Sequence, residues 1–210
     1  MKKILEKILL INLLKNLKFL YSWYKRSFVS HAPNWVKHKI IEHYLIKDSI
    51  FIETGTNEAK TLLRLHKNFS FCYSIEPSVK YFNLSKKNLS SINDKVKLFN
   101  DTSENSLEKI IKEMKGENVT FFLDGHYSGK DTFFGDKETP IIQELKLITK
   151  HIKTFKNLVV IIDDFRCFEL DNYPSKKLFI DFAFNNGLFF TVEHDMFIVS
   201  SIIPFKRLTV

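Results

Sequence analysis

Residues 119–163, VTFFLDGHYSGKDTFFGDKETPIIQELKLITKHIKTFKNLVVIID, hold two nearly continuous apolar runs separated by a loop and an amphipathic stretch. VTFFLD (119–124) and LVVIID (158–163) have the composition of strands covered on both faces. TPIIQELKLITKHI (139–152) repeats its apolar residues at helical spacing. Two buried strands joined through a helix specify a parallel β-α-β crossover.

The same alternation extends toward the amino terminus. SIFIE (49–53), FCYSIE (71–76) and VKLFN (96–100) read as strands, each followed by helical periodicity in KTLLRLHKNF, VKYFNLSKKNL and SLEKIIKEM. Toward the carboxyl terminus, LFFTVE (188–193) and MFIVSSI (196–202) are separated only by His194 and Asp195. That gap is too short for a helical crossover, so these two strands pair antiparallel. The expectation is an α/β, Rossmann-like, doubly wound and mostly parallel seven-stranded sheet with an antiparallel C-terminal hairpin, preceded by N-terminal helices. Residues 1–45 form the helical segment and residues 46–210 the sheet domain. Asn34 is read as the cap of a helix through about Leu45, with Trp35, Ile40, Ile41 and Tyr44 facing inward.

Ligands of doubly wound sheets bind beyond the carboxyl ends of the strands. Those ends read Glu53, Glu76, Asn100-Asp101, Asp124 and Asp163-Asp164, so each of the five strands ends in an acid or runs straight into one. Acids gathered along one edge repel unless they bind hydroxyls, amines or a cation. The first turn, ETGTNEAKT (53–61), bends at Gly55 but carries Asn57 and Lys60 where a dinucleotide fingerprint has later glycines, and it lacks the G-K-[ST] of a P-loop. Glu76 ends the next strand, about 20 residues further on, where a carboxylate accepts hydrogen bonds from two ribose hydroxyls. Asp101 is in place for an adenine amine.

Here the chain resembles the class I S-adenosylmethionine-dependent methyltransferases over roughly residues 49–203. More narrowly, ETGT, LDGHYSG, IDDFRCF and the lead-in APNWVK look like bacterial macrocin-type sugar O-methyltransferases. The resemblance implies a cofactor site at Glu53, Gly55, Thr56, Asn57, Glu76, Asp101, Thr102 and Asp124. It also implies a divalent cation, Mg²⁺ or Mn²⁺, on Asp124, Asp163 and Asp164, a hard-oxygen set of the kind such ions take. A cation there holds substrate hydroxyls and lowers the pKa of the one to be methylated. Asp124 and His126 are the expected catalytic residues, with His126 as general base. Tyr127, Ser128, Lys130 and Arg166 are the expected substrate contacts, and the long loop Ser128–Thr139 is expected to cover the acceptor. The competing reading makes Asp163 a helix cap, pairs Asp164 with Arg166 and leaves His126 an ordinary polar residue. On that reading the chain is a catalytically inactive binding or scaffold protein with a methyltransferase fold.

The 32 basic and 24 acidic residues give a net charge of +8, but only four of the basic residues are arginines. Scattered lysine favours solubility over bidentate phosphate readout, and no basic tract interleaved with aromatics occurs, so nucleic acid is not the expected partner. The expected acceptor is a small hydroxylated or glycan-type molecule. Two cysteines, Cys72 and Cys167, fit neither a disulfide framework nor a zinc cluster, which points to the cytoplasm. Residues 1–20, MKKILEKILLINLLKNLKFL, place Leu5, Leu9, Leu13, Leu17 and Leu20 on one helical face, with lysines opposite. Such a helix packs on its own domain, joins a second subunit in a homo-oligomer, or makes a peripheral contact with the inner face of an anionic membrane.

Overall fold

The computed structural model describes residues 2–28 (side chains from Leu13 onward), 32–125, 139–170 and 173–202. Helices α1 (Lys2–Lys25) and α2 (Asn34–Tyr44) precede an alternating body. The body runs β1 (Ile50–Thr54), α3 (Lys60–Leu65), β2 (Phe71–Ile75), α4 (Val79–Asn88), β3 (Val96–Phe99) and α5 (Ser103–Lys112). It continues with β4 (Asn118–Leu123), α6 (Ile141–His151), β5 (Asn157–Ile162) and α7 (Lys177–Asn185), then β6 (Phe189–Glu193) and β7 (Met196–Ser200). Among the described residues no helix is long and apolar enough to cross a membrane.

The strands form one seven-stranded sheet in the order β3-β2-β1-β4-β5-β7-β6. Strands β1 to β5 pair in parallel, and β7 runs antiparallel to both β5 and β6. The hairpin needs only the two residues anticipated: Glu193 faces Met196, while His194 (φ +45°) and Asp195 (φ +77°) both adopt the left-handed conformation of a tight primed turn. Strand order reverses between β1 and β4, which opens a crevice at their carboxyl ends.

Alternation along the strands divides the core between two faces. Phe121, Leu158, Val160 and Phe197 pack under α5, α6 and α7 on one side. Phe51, Phe122, Ile161 and Ile198 pack with Ile40, Ile41 and Leu62 on the other. A buried stack of Phe51 on Phe69, with ring centroids 4.4 Å apart, anchors β1 on that second face.

Two details of the amino-terminal reading are corrected. Pro33, not Asn34, precedes the first turn of α2, and its carbonyl accepts the Val36 N–H at 2.8 Å. The inward face therefore falls on Val36, Ile40, Ile41 and Tyr44, and Trp35 points to solvent. Helix α1 extends through Lys25, and Trp23 in its last turn is buried against the second face. The helix after β5, which strand–helix alternation requires but does not locate, is α7.

Candidate functional site

The turn between β1 and α3 uses two residues suited to tight turns and one that is not. Gly55, Asn57 and Ala59 lie in the left-handed region, with φ of +86°, +49° and +60°. Positions 55, 57 and 59, rather than 55, 57 and 60, therefore carry the conformation that glycine makes easy. Asparagine tolerates it, whereas a left-handed alanine costs about 1–2 kcal/mol and marks a strained turn. Only Gly55 is obliged by space: a Cβ there would lie 2.5 Å from the Asp124 carbonyl oxygen. The β1 turn thus rests directly on the end of β4.

The acids of β1 to β3 are held by nearby donors. Glu53 is fully buried; Ser74 Oγ donates to its Oε2 at 2.6 Å, and the Ser74 and Thr56 hydroxyls bond each other at 2.6 Å. Burial pushes the Glu53 carboxyl up to about 8, against the Ser74 bond and with some help from Asp124. Glu76 accepts the Asn57 N–H at 2.7 Å on one oxygen and the Ser78 N–H at 2.9 Å on the other, tying the first turn to the second. Burial raises its pKa, and these backbone bonds oppose the rise. Asp101 accepts from Thr102 N (2.8 Å), Asn105 Nδ2 (3.0 Å) and Ser106 Oγ (2.7 Å), at the start of α5. The Ser106 bond, followed by that of Asn105, holds the Asp101 carboxyl below the usual range.

The acids of β4 and β5 are organised differently. One carboxylate oxygen from each of Asp124, Asp163 and Asp164 lies within 4.8 Å of the others. Asp164 occupies the left-handed region (φ +53°), and its N–H bonds Asp163 Oδ1 at 2.8 Å. The counter-charges come from elsewhere in the chain. Lys37 of α2 forms an ion pair with Asp163, its Nζ also 3.9 Å from Asp164 Oδ1. Arg166 Nη1 donates to Asp164 Oδ1 at 2.5 Å and forms a second ion pair with Asp195 of the hairpin turn. Burial works against the Lys37 charge, but Asp163, Asp124 and Asp164 outweigh it and raise the ammonium pKa. Burial, and then Asp124, raises that of Asp163, with Lys37 opposing.

A cavity of about 340 Å³ joins the two halves. Gly55, Thr56 and Asn57 line one side, Asp124, Asp163 and Lys37 the other, with His38 and Tyr81 completing the wall. A smaller cavity behind Asp124, Asp163 and Asp164 is lined by Glu144 of α6, whose carboxyl burial pushes up to about 7. The structure brings Gly55, Thr56, Asn57, Asp124 and Asp163 together at the cavity. Glu53 and Glu76 support the turn from beneath, and Asp101 with Thr102 lies at the head of α5. Arg166 turns its guanidinium to Asp164 and Asp195, the pairing that the competing reading assigned to Asp164. His126, Tyr127, Ser128 and Lys130, and the loop to residue 138, lie outside the described residues.

Lys37, His38, Glu144 and Asp195 escaped the reading of the strand ends. Lys37 closes the APNWVK lead-in, the one signal that pointed to it. His38 lines the cavity, and its pKa is lowered by burial and then by Arg64 and Lys37.

The fold has solved counterparts. A candidate rRNA methylase from Clostridium thermocellum is 15% identical, with a TM-score of 0.54 over 82% of this chain and 97% of that one. A candidate methyltransferase from Streptococcus mutans, solved with S-adenosylhomocysteine, is 16% identical, with a TM-score of 0.50 over 82% and 98%. An S-adenosylhomocysteine-bound methyltransferase from Podospora anserina is 14% identical, with a TM-score of 0.51 over 72% and 70%. The architecture is therefore the Rossmann-like class I methyltransferase fold. No family model matches the chain, and no curated protein matches it.

Proposed function

We propose that the protein is an S-adenosylmethionine-dependent O-methyltransferase acting on a hydroxylated, sugar- or glycan-type acceptor. The observation that carries this reading is the single cavity bounded by the strained β1 turn on one side and by Asp124 and Asp163 on the other. Gly55, Thr56 and Asn57 of the turn would hold the cofactor, Glu76 would accept from its ribose hydroxyls, and the acid cluster would receive the acceptor hydroxyl. Methyl transfer is an in-line displacement at a sulfonium, so positioning and removal of the hydroxyl proton supply most of the catalysis. His126 is the proposed base.

The oxygen donors of Asp124, Asp163 and Asp164 suit a hard divalent cation, and their spacing supports a shared ligand. Such an ion would lower the pKa of a bound hydroxyl. Lys37 already balances Asp163, so ammonium and metal compete for the same carboxylate. A small acceptor is favoured over nucleic acid by the charge distribution. Of the 32 basic and 24 acidic residues, seven and one lie in residues 1–28, leaving 25 and 23 for the body that carries the site. A phosphate backbone requires a basic footprint beside the cleft.

Isothermal titration with S-adenosylhomocysteine tests the first half. Binding is expected, and Glu76→Ala weakens it by about 2 kcal/mol through loss of charge-assisted bonds. Absence of binding overturns the reading. Transfer of labelled methyl from S-adenosylmethionine to a panel of hydroxylated sugars tests the second. EDTA should abolish it, Mg²⁺ or Mn²⁺ restore it, and His126→Ala lower turnover about 100-fold. Full activity in chelator removes the metal and leaves Lys37 as the cation of the cluster.

A further inference from the structure

Helix α1 is joined to the body at its end and turns an apolar band outward. Trp23 is buried against the second face of the sheet, and its Nε1 donates to the Phe28 carbonyl at 2.9 Å. On a different side of the helix, Leu13, Leu14, Leu17, Tyr21 and Tyr24 are 52–64% exposed. At 100° per residue, positions 13, 17, 21 and 24 fall along one stripe, with position 14 at its border. Five large apolar side chains on one turn-after-turn stripe form a patch of the kind that marks an interaction surface.

The charges around this stripe say what covers it. Lys18 and Lys25 flank it on one side, Lys15 lies on the opposite face, and Lys25 Nζ lies 5.2 Å from the Tyr21 ring centroid. Residues 1–28 contain seven basic residues and one acid, Glu6, so they supply +6 of the net charge of +8. A second copy laid on this helix would bring two such cationic segments together. An anionic bilayer instead takes the leucines into its acyl boundary, the tyrosines at headgroup level and the lysines against its phosphates.

We propose that α1 docks the protein onto an anionic lipid surface through the stripe Leu13, Leu17, Tyr21 and Tyr24. Sedimentation of the full chain with vesicles tests this. The protein should pellet with phosphatidylcholine vesicles containing phosphatidylglycerol, remain in solution with phosphatidylcholine alone, and be released by salt. Lys18→Gln with Lys25→Gln should weaken binding about thirtyfold, since each basic residue near an anionic surface contributes about fivefold. Leu13→Glu with Leu17→Glu should abolish it while leaving S-adenosylhomocysteine titration unchanged, which separates this proposal from the reading of the cavity. Failure to pellet at low salt, or equal pelleting with neutral vesicles, overturns it. So does a concentration-dependent dimer that Leu13→Glu with Leu17→Glu disperses.

Discussion

The two halves of the strand-end edge neutralise their acids in opposite ways. Along β1 to β3, Glu76 and Asp101 take backbone N–H groups, hydroxyls and amides from the turns that follow their own or a neighbouring strand. Along β4 and β5, Asp163 and Asp164 depend on full cations, one delivered from distant α2 and one, Arg166, two residues beyond Asp164 and tied down by the hairpin turn. Lys37 is 126 residues away from Asp163, and the Asp195 that shares Arg166 is 29 residues beyond it. The first half is a set of local turns carrying carboxylates. The second is a charge cluster that exists only when α2 and the hairpin have docked. A site built the second way holds its acids close without protonating them all, which is what a cluster meant to meet a ligand requires.

The largest effect is expected where the halves touch. Gly55→Ala places a methyl 2.5 Å from the Asp124 carbonyl at a left-handed φ. It should cost about 3 kcal/mol or more and abolish S-adenosylhomocysteine binding. A folded, binding-competent variant in thermal melts and titration would show that the two halves are not in fixed contact.

Lys37→Met probes the long-range half alone. Its side chain is 19% exposed, so the loss should fall below that of a fully buried pair, about 2 kcal/mol at neutral pH. The sign follows from the acids. Burial and Asp124 hold the Asp163 pKa above its unfolded value, and Lys37 opposes that rise. Parent and variant should therefore differ least while Asp163 is protonated in both, and the deficit should grow as pH climbs through its raised folded value. Added Mg²⁺ should raise the Tm of the variant more than that of the parent, because the ammonium no longer competes. Equal melting of parent and variant at pH 8 would break the contrast between the halves.

The smallest effect is a gain of stability in the local half. The Glu53 carboxyl is raised to about 8, so its neutral form is the one that folds. Its contribution is complete below the unfolded value near 4.3 and is lost as pH climbs through 8. Glu53→Gln removes that loss. It should therefore melt higher than the parent by an amount that grows from pH 4.5 to 8 and then levels off. A stability advantage independent of pH would show that Glu53 is held charged.

The alternation of apolar runs determined the sheet, its antiparallel hairpin and the line of acids at its carboxyl edge, because strand period and crossover length are local properties. The residue that had to be glycine, Gly55, was legible for the same reason. Tertiary structure alone showed that Ala59, not Lys60, shares its left-handed conformation, and that a Cβ at Gly55 would strike the end of β4. It also decided which cations face the acids. The Arg166–Asp164 pair was legible two residues apart in the sequence, whereas Lys37 reaches Asp163 only because α2 docks on the strand ends. Electrostatic partners are chosen by distance in space, and no periodicity along the chain records which helix will dock there.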